Sequence, residues 1–158
     1  MNRILIVDDD YGIRLLYQEE LTYDGYDVIT TDDCRNLLEL IGNKNPDIVV
    51  LEAVIGMYNG LDLLQDIRNT FYDMPVILCT IYPDFKYDIR AIAADYYVVK
   101  SSDLSELKNK IRMAIEAGNQ FYERTAFENR PALFAKPSTV IENVASFIQD
   151  TEALHFLE

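Results

Sequence analysis

Residues 4–10 read Ile-Leu-Ile-Val-Asp-Asp-Asp, so four apolar residues are followed at once by three carboxylates. An unbroken, mostly β-branched apolar run is typical of a parallel strand that is buried on both faces of its sheet. Burying unpaired charges is costly, so Asp8, Asp9 and Asp10 need a cation, a lysine or water. The stretch therefore predicts a buried strand whose carboxyl end opens onto a polar site.

Further short apolar runs at residues 28–30, 48–51, 76–79 and 96–99 alternate with segments of helical period. The helical segments are marked by regularly spaced apolar residues: Ile13, Leu16, Tyr17 and Leu21; Leu37, Leu38 and Ile41; Leu61, Leu64 and Ile67; Ile89, Ile92 and Ala93; Leu104, Leu107, Ile111, Ala114 and Ile115. Five strands alternating with helices predict an α/β fold, a doubly wound parallel sheet with helices on both faces. The functional site of such a sheet lies at the carboxyl ends of its strands.

Polar residues also end three of the later strands. Glu52 follows the third predicted strand, Thr80 the fourth and Lys100 the fifth. Because a doubly wound sheet gathers these ends into one crevice, we expect carboxylates, a hydroxyl and an ammonium to converge there. Such oxygen-rich surroundings suit a hard cation such as Mg²⁺.

The charge of the chain restricts its partners. The 158 residues carry a net charge of −13, of which residues 1–118 contribute −10. A field of this sign repels nucleic acid and favours cations or basic protein surfaces. The first apolar run ends after four residues, too short for a signal sequence or a membrane span, and two cysteines suggest reduced, buried thiols. We therefore expect a cytoplasmic protein that binds neither nucleic acid nor membranes.

The last predicted helix opens with a capping box at residues 103–106 and continues weakly past Gly118. Pro131 and Pro137 then bracket a break, and residues 140–154 form a second amphipathic stretch. The sequence predicts a domain of residues 1–118 and a C-terminal helical extension of residues 119–158. That extension either packs on its own domain or covers its apolar face by homodimerisation or partner docking.

Five strings in residues 1 to about 118 resemble the receiver domains of bacterial two-component response regulators: residues 4–10, 47–52 (Asp-Ile-Val-Val-Leu-Glu), 60–64 (Gly-Leu-Asp-Leu-Leu), 75–80 (Pro-Val-Ile-Leu-Cys-Thr) and 94–100 (Ala-Asp-Tyr-Tyr-Val-Val-Lys). The resemblance implies a flavodoxin-like receiver fold with strand order 2-1-3-4-5. It also implies a Mg²⁺-assisted transfer of phosphoryl from a histidine kinase to an aspartate.

Carried over to this chain, the resemblance implies a metal site formed by Asp8, Asp9, Glu52 and the backbone carbonyl of Val54. Glu52 occupies the position of the phosphoaccepting aspartate. Because that position has changed, we expect Mg²⁺ to bind with low occupancy.

The resemblance implies three further roles near the same site. The hydroxyl of Thr80 matches the group that contacts the phosphoryl, Tyr97 matches the switch aromatic and Lys100 matches the charge partner. In the family, activation is read out on the face formed by the fourth helix, fifth strand and fifth helix.

Four departures from the family bear on phosphotransfer. Glu52 is one methylene longer than aspartate, which moves its carboxylate by about 1.5 Å, and a misplacement of about 1 Å can cost about a hundredfold in rate. Ile81 replaces a small residue, and its bulk is expected to narrow access to the phosphorylation pocket. Ser101 replaces the proline that follows the lysine in the family and is joined to it by a cis peptide, so we expect this peptide bond to be trans. Gly56 replaces a proline in the loop that follows the phosphoacceptor position.

The sequence thus predicts a non-enzymatic pseudo-receiver that signals through protein contacts, with Glu52 mimicking the phosphorylated state. Its partner would be a histidine kinase or a downstream effector, and the locked state is either active-like or inactive-like. A working phosphotransfer receiver and a dimerisation module built on the C-terminal helix remain alternatives.

Overall fold

The computed structural model describes the backbone of residues 1–127 and the side chains of residues 1–120. Seven strands lie in this part, namely β1 (Arg3–Val7), β2 (Asp27–Thr31), β3 (Ile48–Leu51), β4 (Val54–Ile55), β5 (Tyr58–Asn59), β6 (Val76–Thr80) and β7 (Tyr96–Val99). The α-helices are α1 (Tyr11–Tyr23), α2 (Leu37–Lys44), α3 (Gly60–Thr70) and α4 (Ser105–Phe127). Two 3₁₀ turns, Pro83–Tyr87 and Ile89–Ala93, separate β6 from β7.

The five longer strands form one parallel sheet in the order β2-β1-β3-β6-β7. Counted without the small β4–β5 hairpin, this order is 2-1-3-4-5. The predicted doubly wound receiver fold is therefore confirmed, and each predicted strand agrees with the observed one to within one residue at either end.

The sheet is buried on both faces, as its unbroken apolar strands predict. Helices α2 and α3 cover one face, where Leu5, Val7, Val49, Leu51, Val76 and Leu78 pack with Leu37, Ile41, Leu61, Leu64 and Ile67. Helices α1 and α4 cover the other face, where Ile4, Ile6, Ile48, Val50, Ile77, Cys79 and Val98 pack with Tyr17, Leu21, Leu107, Ile111 and Ala114. Both cysteines are buried free thiols.

The predicted fourth helix is wrong. Residues 83–93 form two 3₁₀ turns, because Asp88 between them has an extended backbone and its side chain accepts a hydrogen bond from the N–H of Arg90. Aspartate side chains compete in this way with helical hydrogen bonds. Ile89 and Ile92, two of the apolar residues that marked the predicted helix, are 80% and 79% exposed, and Ala91 is buried instead.

The fifth predicted helix corresponds to α4. Asp103 accepts a hydrogen bond from the N–H of Ser105 at 2.9 Å, and its own N–H donates to Oγ of Ser101 rather than to Glu106, so the predicted capping box is not formed. The helix continues past residue 118 to Phe127. The break at Pro131 and Pro137 and the amphipathic stretch of residues 140–154 lie outside the described residues, so the domain boundary and the role of the extension stay predictions. Within residues 1–127, no helix combines the length and the apolar character that crossing a membrane requires.

Candidate functional site

The carboxyl ends of four neighbouring strands bring the candidate residues together. Asp8 follows β1, Glu52 follows β3, Thr80 ends β6 and Lys100 follows β7. Asp8, Glu52 and Thr80 are only 3%, 5% and 0% exposed. The crevice predicted from the alternating pattern therefore contains buried polar groups, which must find partners inside the protein.

Lys100 is the central cation of this cluster. Its Nζ lies 2.5 Å from Oδ2 of Asp8 and 2.5 Å from Oε2 of Glu52, and all three side chains are less than a tenth exposed. One ammonium thus serves two carboxylates from different strands. Since breaking a buried ion pair leaves an uncompensated charge, these contacts tie β1, β3 and β7 together.

The carboxylate of Glu52 is fixed at both oxygens. Oε1 accepts hydrogen bonds from the backbone N–H groups of Ala53 at 2.7 Å and Val54 at 3.2 Å, and Oε2 contacts Lys100. The additional methylene lets the side chain turn back onto the backbone that follows it. Glu52 is therefore held by backbone donors as well as by a cation, in charge-assisted hydrogen bonds.

The three adjacent aspartates have separate partners. Oδ1 of Asp8 accepts from the N–H of Asp10 at 3.0 Å, and Oδ2 of Asp9 accepts from the N–H of Gly56 at 2.9 Å. Asp10 caps α1 by accepting from the N–H of Ile13 at 3.0 Å. Of the three, Asp8 alone belongs to the buried cluster with Lys100.

Burial and ion pairing compete in setting the protonation of the cluster. Burial raises the pKa of the Asp8 carboxyl, although hydrogen bonding to Lys100 opposes that shift. Burial lowers the pKa of Lys100, but its hydrogen bonds to Asp8 and Glu52 outweigh burial, and the net shift is upward. Lys100 therefore stays charged at neutral pH, and the cluster holds its ammonium firmly.

The predicted metal ligands fit Mg²⁺ by chemical type but not by arrangement. Carboxylate and carbonyl oxygens are the ligands that Mg²⁺ prefers. Among the residues whose side chains are described, however, no three His, Cys, Asp or Glu side chains are placed to hold a metal ion. Lys100 supplies the positive charge to Asp8 and Glu52. Oδ2 of Asp9 accepts a hydrogen bond from the backbone N–H of Gly56.

The two predicted switch residues share one partner. Oγ1 of Thr80 accepts a hydrogen bond from the N–H of Tyr82 at 3.4 Å, and the hydroxyl of Tyr97 donates to the carbonyl of Tyr82. Tyr97 is half-buried against the core on the α2–α3 face of the sheet. None of the described hydrogen bonds joins Thr80 to Glu52, so these two residues are neighbours at the site without a direct bond.

The other departures from the family pattern have identifiable positions. Residues 1–127 contain no cis peptide, so the bond between Lys100 and Ser101 is trans, as predicted. Gly56 has a φ of +56°, the left-handed region that glycine tolerates, and forms the turn of the β4–β5 hairpin. Ile81 is 59% exposed, so most of its side chain faces solvent beside the site.

Two residues that support the site were missed by sequence reasoning. A Cβ on Gly60 would lie 2.1 Å from the carbonyl oxygen of Glu52, so only glycine permits α3 to begin this close to β3. The hydroxyl of Tyr17 lies 3.5 Å from Sγ of Cys79 beneath the site. Asn59 caps α3 by accepting a hydrogen bond from the N–H of Leu61.

Comparison with known proteins agrees with this geometry. Residues 4–112 match the family described as the response regulator receiver domain. The chain is 34% identical over 129 residues to the probable transcriptional regulator ycf27 of Galdieria sulphuraria, an alignment that covers 80% of this chain and 50% of that protein. It is 33% identical to the response regulator MprA of Mycolicibacterium vanbaalenii over 70% of this chain and 48% of that protein. The chain thus spans about half the length of these curated relatives.

Solved structures give the same result. The response regulator TrrA of Thermotoga maritima, in complex with Mg²⁺ and BeF, is 38% identical, with a TM-score of 0.70 over 72% of this chain and 99% of that one. TrrA in complex with the histidine kinase ThkA matches with a TM-score of 0.68 over 72% of this chain and 98% of that one. The family match covers more than half of the sequence and the strand order is the same. This chain belongs to the response regulator receiver domain family.

Proposed function

We propose that this chain is a pseudo-receiver, a non-enzymatic signalling domain that acts through protein contacts without accepting phosphoryl. The observation that carries the proposal is the double engagement of the Glu52 carboxylate by Lys100 and by two backbone N–H groups. In-line attack on phosphorus requires a carboxylate oxygen aimed at the donor. Both oxygens of Glu52 are already engaged by these partners, which supports loss of phosphotransfer.

Glu52 acts, in this proposal, as a permanent substitute for a phosphorylated aspartate. Its negative charge contacts Lys100 in the place where a transferred phosphoryl would be neutralised. Thr80 is fully buried and the hydroxyl of Tyr97 is bonded to the carbonyl of Tyr82. The packing of the partly buried Tyr97 against the core supports an active-like rather than an inactive-like state.

Mg²⁺ has a minor role in this proposal. Asp8, Asp9, Glu52 and the carbonyl of Val54 would hold the ion, and there it would supply positive charge to the carboxylates. Since Lys100 already neutralises Asp8 and Glu52, metal binding has to compete with an internal cation. We expect low occupancy at physiological Mg²⁺.

The partner we propose is another signalling protein. TrrA, a relative with the same fold, is known in complex with a histidine kinase. For this chain we propose a kinase or a downstream effector that binds the face formed by the two 3₁₀ turns, β7 and α4. The curated relatives include proteins named as transcriptional regulators. The net charge of −13 argues that any effect of this chain on DNA is indirect.

The decisive experiment is incubation with Mg²⁺ and a small phosphodonor, followed by intact mass measurement. We expect no phosphoryl adduct on the wild-type chain. Glu52→Asp, which removes the extra methylene, should accept phosphoryl at least about a hundredfold faster than wild type. Glu52→Gln keeps the side-chain length without a nucleophilic carboxylate and serves as the matched control.

A stoichiometric adduct on wild-type Glu52, Asp8 or Asp9 would establish the alternative, a working phosphotransfer receiver. The dimerisation alternative rests on residues 119–158, and sedimentation of the full chain against a chain ending at residue 118 tests it. A dimer that disappears on truncation would support that alternative.

A further inference from the structure

A second cation with little solvent exposure lies at the edge of the site, in the first turn of α1. The side chain of Arg14 is 13% exposed, and its Nη1 donates a hydrogen bond to the backbone carbonyl of Asp8 at 2.7 Å. Its Nη2 contacts Oδ2 of Asp32, the residue after β2, at 3.3 Å. Arg14 therefore connects the two loops that follow β1 and β2.

The bond to the Asp8 carbonyl is the stronger of these two contacts. The side chain of Asp32 is 63% exposed, so solvent screens its attraction to Arg14, and such pairs contribute little to stability. The bond to the carbonyl is shorter, and it is charge-assisted because its donor is a guanidinium. A guanidinium that is mostly withdrawn from water needs a partner of this kind. Arg14 is thus held at the site chiefly by the main chain of Asp8.

The position of the Asp8 carboxylate depends on this stretch of main chain. Aspartate has one methylene between Cα and its carboxylate, so the carboxylate follows its backbone more closely than the charged groups of Glu52 and Lys100 follow theirs. The N–H of Asp8 donates to the carbonyl of Thr31 at 3.1 Å, and Arg14 binds the carbonyl of Asp8. Among the described residues, no other side chain donates to that carbonyl. Removing the guanidinium therefore frees the peptide group that follows Asp8.

A displaced Asp8 would disturb the whole buried cluster. Oδ2 of Asp8 and Oε2 of Glu52 each lie 2.5 Å from Nζ of Lys100. Because the two carboxylates share this ammonium, a weaker contact with one of them changes its position relative to the other. Arg14 has no hydrogen bond or ion pair with Lys100 or Glu52 among the described contacts, so its effect on them has to pass through Asp8.

We propose that Arg14 is a positioning residue of the buried cluster. Its guanidinium holds the main chain of Asp8 where the Asp8 carboxylate meets Lys100, and this keeps Lys100 in place on Glu52. The inference rests on the proposed function, because it names a residue outside the cluster that maintains the engaged state of Glu52.

A double-mutant cycle in urea denaturation of the full chain tests the proposal. Arg14→Met and Lys100→Met remove the cations that bind the carbonyl and the carboxylate of Asp8. If Arg14 acts through Asp8, the second substitution costs less once the first is present, since the contact it supports is already lost. We expect the unfolding equilibrium constant of the double variant to be at least about fivefold smaller than the two single effects multiplied together predict.

Arg68→Met is the matched control. The side chain of Arg68 is 17% exposed, and it also joins a backbone carbonyl, that of Ala93, to a carboxylate, that of Asp95. It lies on α3 and has no described contact with the buried cluster. Its effect should multiply with that of Lys100→Met to within about twofold, as independent sites do.

The NMR signal of the Lys100 ammonium gives a second readout, which does not require the double variant to fold. It is assigned by its absence in Lys100→Met. We expect this signal to shift, or to disappear through faster exchange with water, in Arg14→Met and to be unchanged in Arg68→Met. Arg14→Lys should restore it, because a lysine ammonium can still donate to the Asp8 carbonyl.

Two results would overturn the proposal: an Arg14–Lys100 cycle whose effects simply multiply, or a Lys100 signal in Arg14→Met identical to that of the wild type. An equal change of that signal in Arg68→Met would also overturn it, since it would indicate a general loss of stability. A phosphoryl adduct on the wild-type chain would overturn the pseudo-receiver without changing either measurement. Failure of the role of Arg14 and failure of the proposed function are therefore distinguishable.

Discussion

Replacing Lys100 by methionine tests the role of the buried cluster most severely. Methionine has nearly the volume of the lysine stem, so the change removes the charge and leaves little cavity. Asp8 and Glu52 would then remain buried with no cation. Among the described residues, no other basic side chain forms an ion pair with either of these two carboxylates.

The expected cost follows from the burial of the three side chains. Lys100, Asp8 and Glu52 are 8%, 4% and 5% exposed, so solvent screens them little. Removing one partner of such a buried pair costs about 3–5 kcal/mol in unfolding free energy. We expect Lys100→Met to lie in this range.

Urea denaturation followed by far-ultraviolet circular dichroism measures the loss, since the chain has no tryptophan to report by fluorescence. Lys108→Met is the matched control. Lys108 also contacts two carboxylates, Glu20 and Asp24, but its side chain is 28% exposed. An exposed pair is worth about 0–1 kcal/mol.

The double variant Lys100→Met/Glu52→Gln separates charge from packing. If uncompensated charge causes the loss, neutralising Glu52 should restore at least about 1 kcal/mol, within the range of coupling between contacting residues. Equal losses for Lys100→Met and Lys108→Met, or no recovery in the double variant, would refute the assignment of Lys100 as the central cation.

Three further predictions concern the surroundings of the site. Gly60→Ala should cost about 3 kcal/mol or more in urea denaturation because its Cβ would lie 2.1 Å from a carbonyl oxygen, whereas Gly118→Ala, with open space in α4, should stabilise by about 0.5–1 kcal/mol. The pKa of Asp88, lowered to about 2 by its hydrogen bonds with Arg90, should return towards 3.8 in Arg90→Gln when the carboxyl is titrated by NMR. The interaction of Asp88 with Arg90 thus stabilises the folded state fully above the ordinary pKa of aspartate, and this stabilisation is lost as the pH falls through about 2. Tyr97→Phe should cost about 0.5–1.5 kcal/mol and speed hydrogen exchange in residues 81–84.

The sheet was predictable because parallel strands buried on both faces leave a strong signal. The run at residues 48–51 and the stripe of Leu61, Leu64 and Ile67 have the expected spacing, and all of these residues are buried. The apolar spacing predicted the buried face of the first helix less accurately, since Tyr17 and Leu21 are buried but Leu16 is 39% exposed.

The fourth helix was not predictable from spacing alone. Ile89, Ile92 and Ala93 have helical period. The Asp88 side chain nevertheless accepts a hydrogen bond from the backbone N–H of Arg90, and this local bond replaces those of a continuous helix. That competition depends on the conformation around Asp88, which apolar spacing does not encode.

The sequence predicted which residues form the site, but only part of how they contact one another. Strand topology alone places Asp8, Glu52, Thr80 and Lys100 at one edge of the sheet. The turn of Glu52 onto the N–H groups that follow it depends on a side-chain rotamer, which no spacing in the sequence specifies.

Binding of a phosphoryl analogue tests the central claim, that the carboxylate of Glu52 already occupies the place of a phosphoryl group. Mg²⁺ and beryllofluoride are added to the labelled chain and amide shifts are recorded. We expect no saturable shifts in residues 52–56, 80–82 and 97–101 of the wild-type chain. Saturable shifts there at stoichiometric analogue would show that the site is vacant and receptive, which contradicts the account.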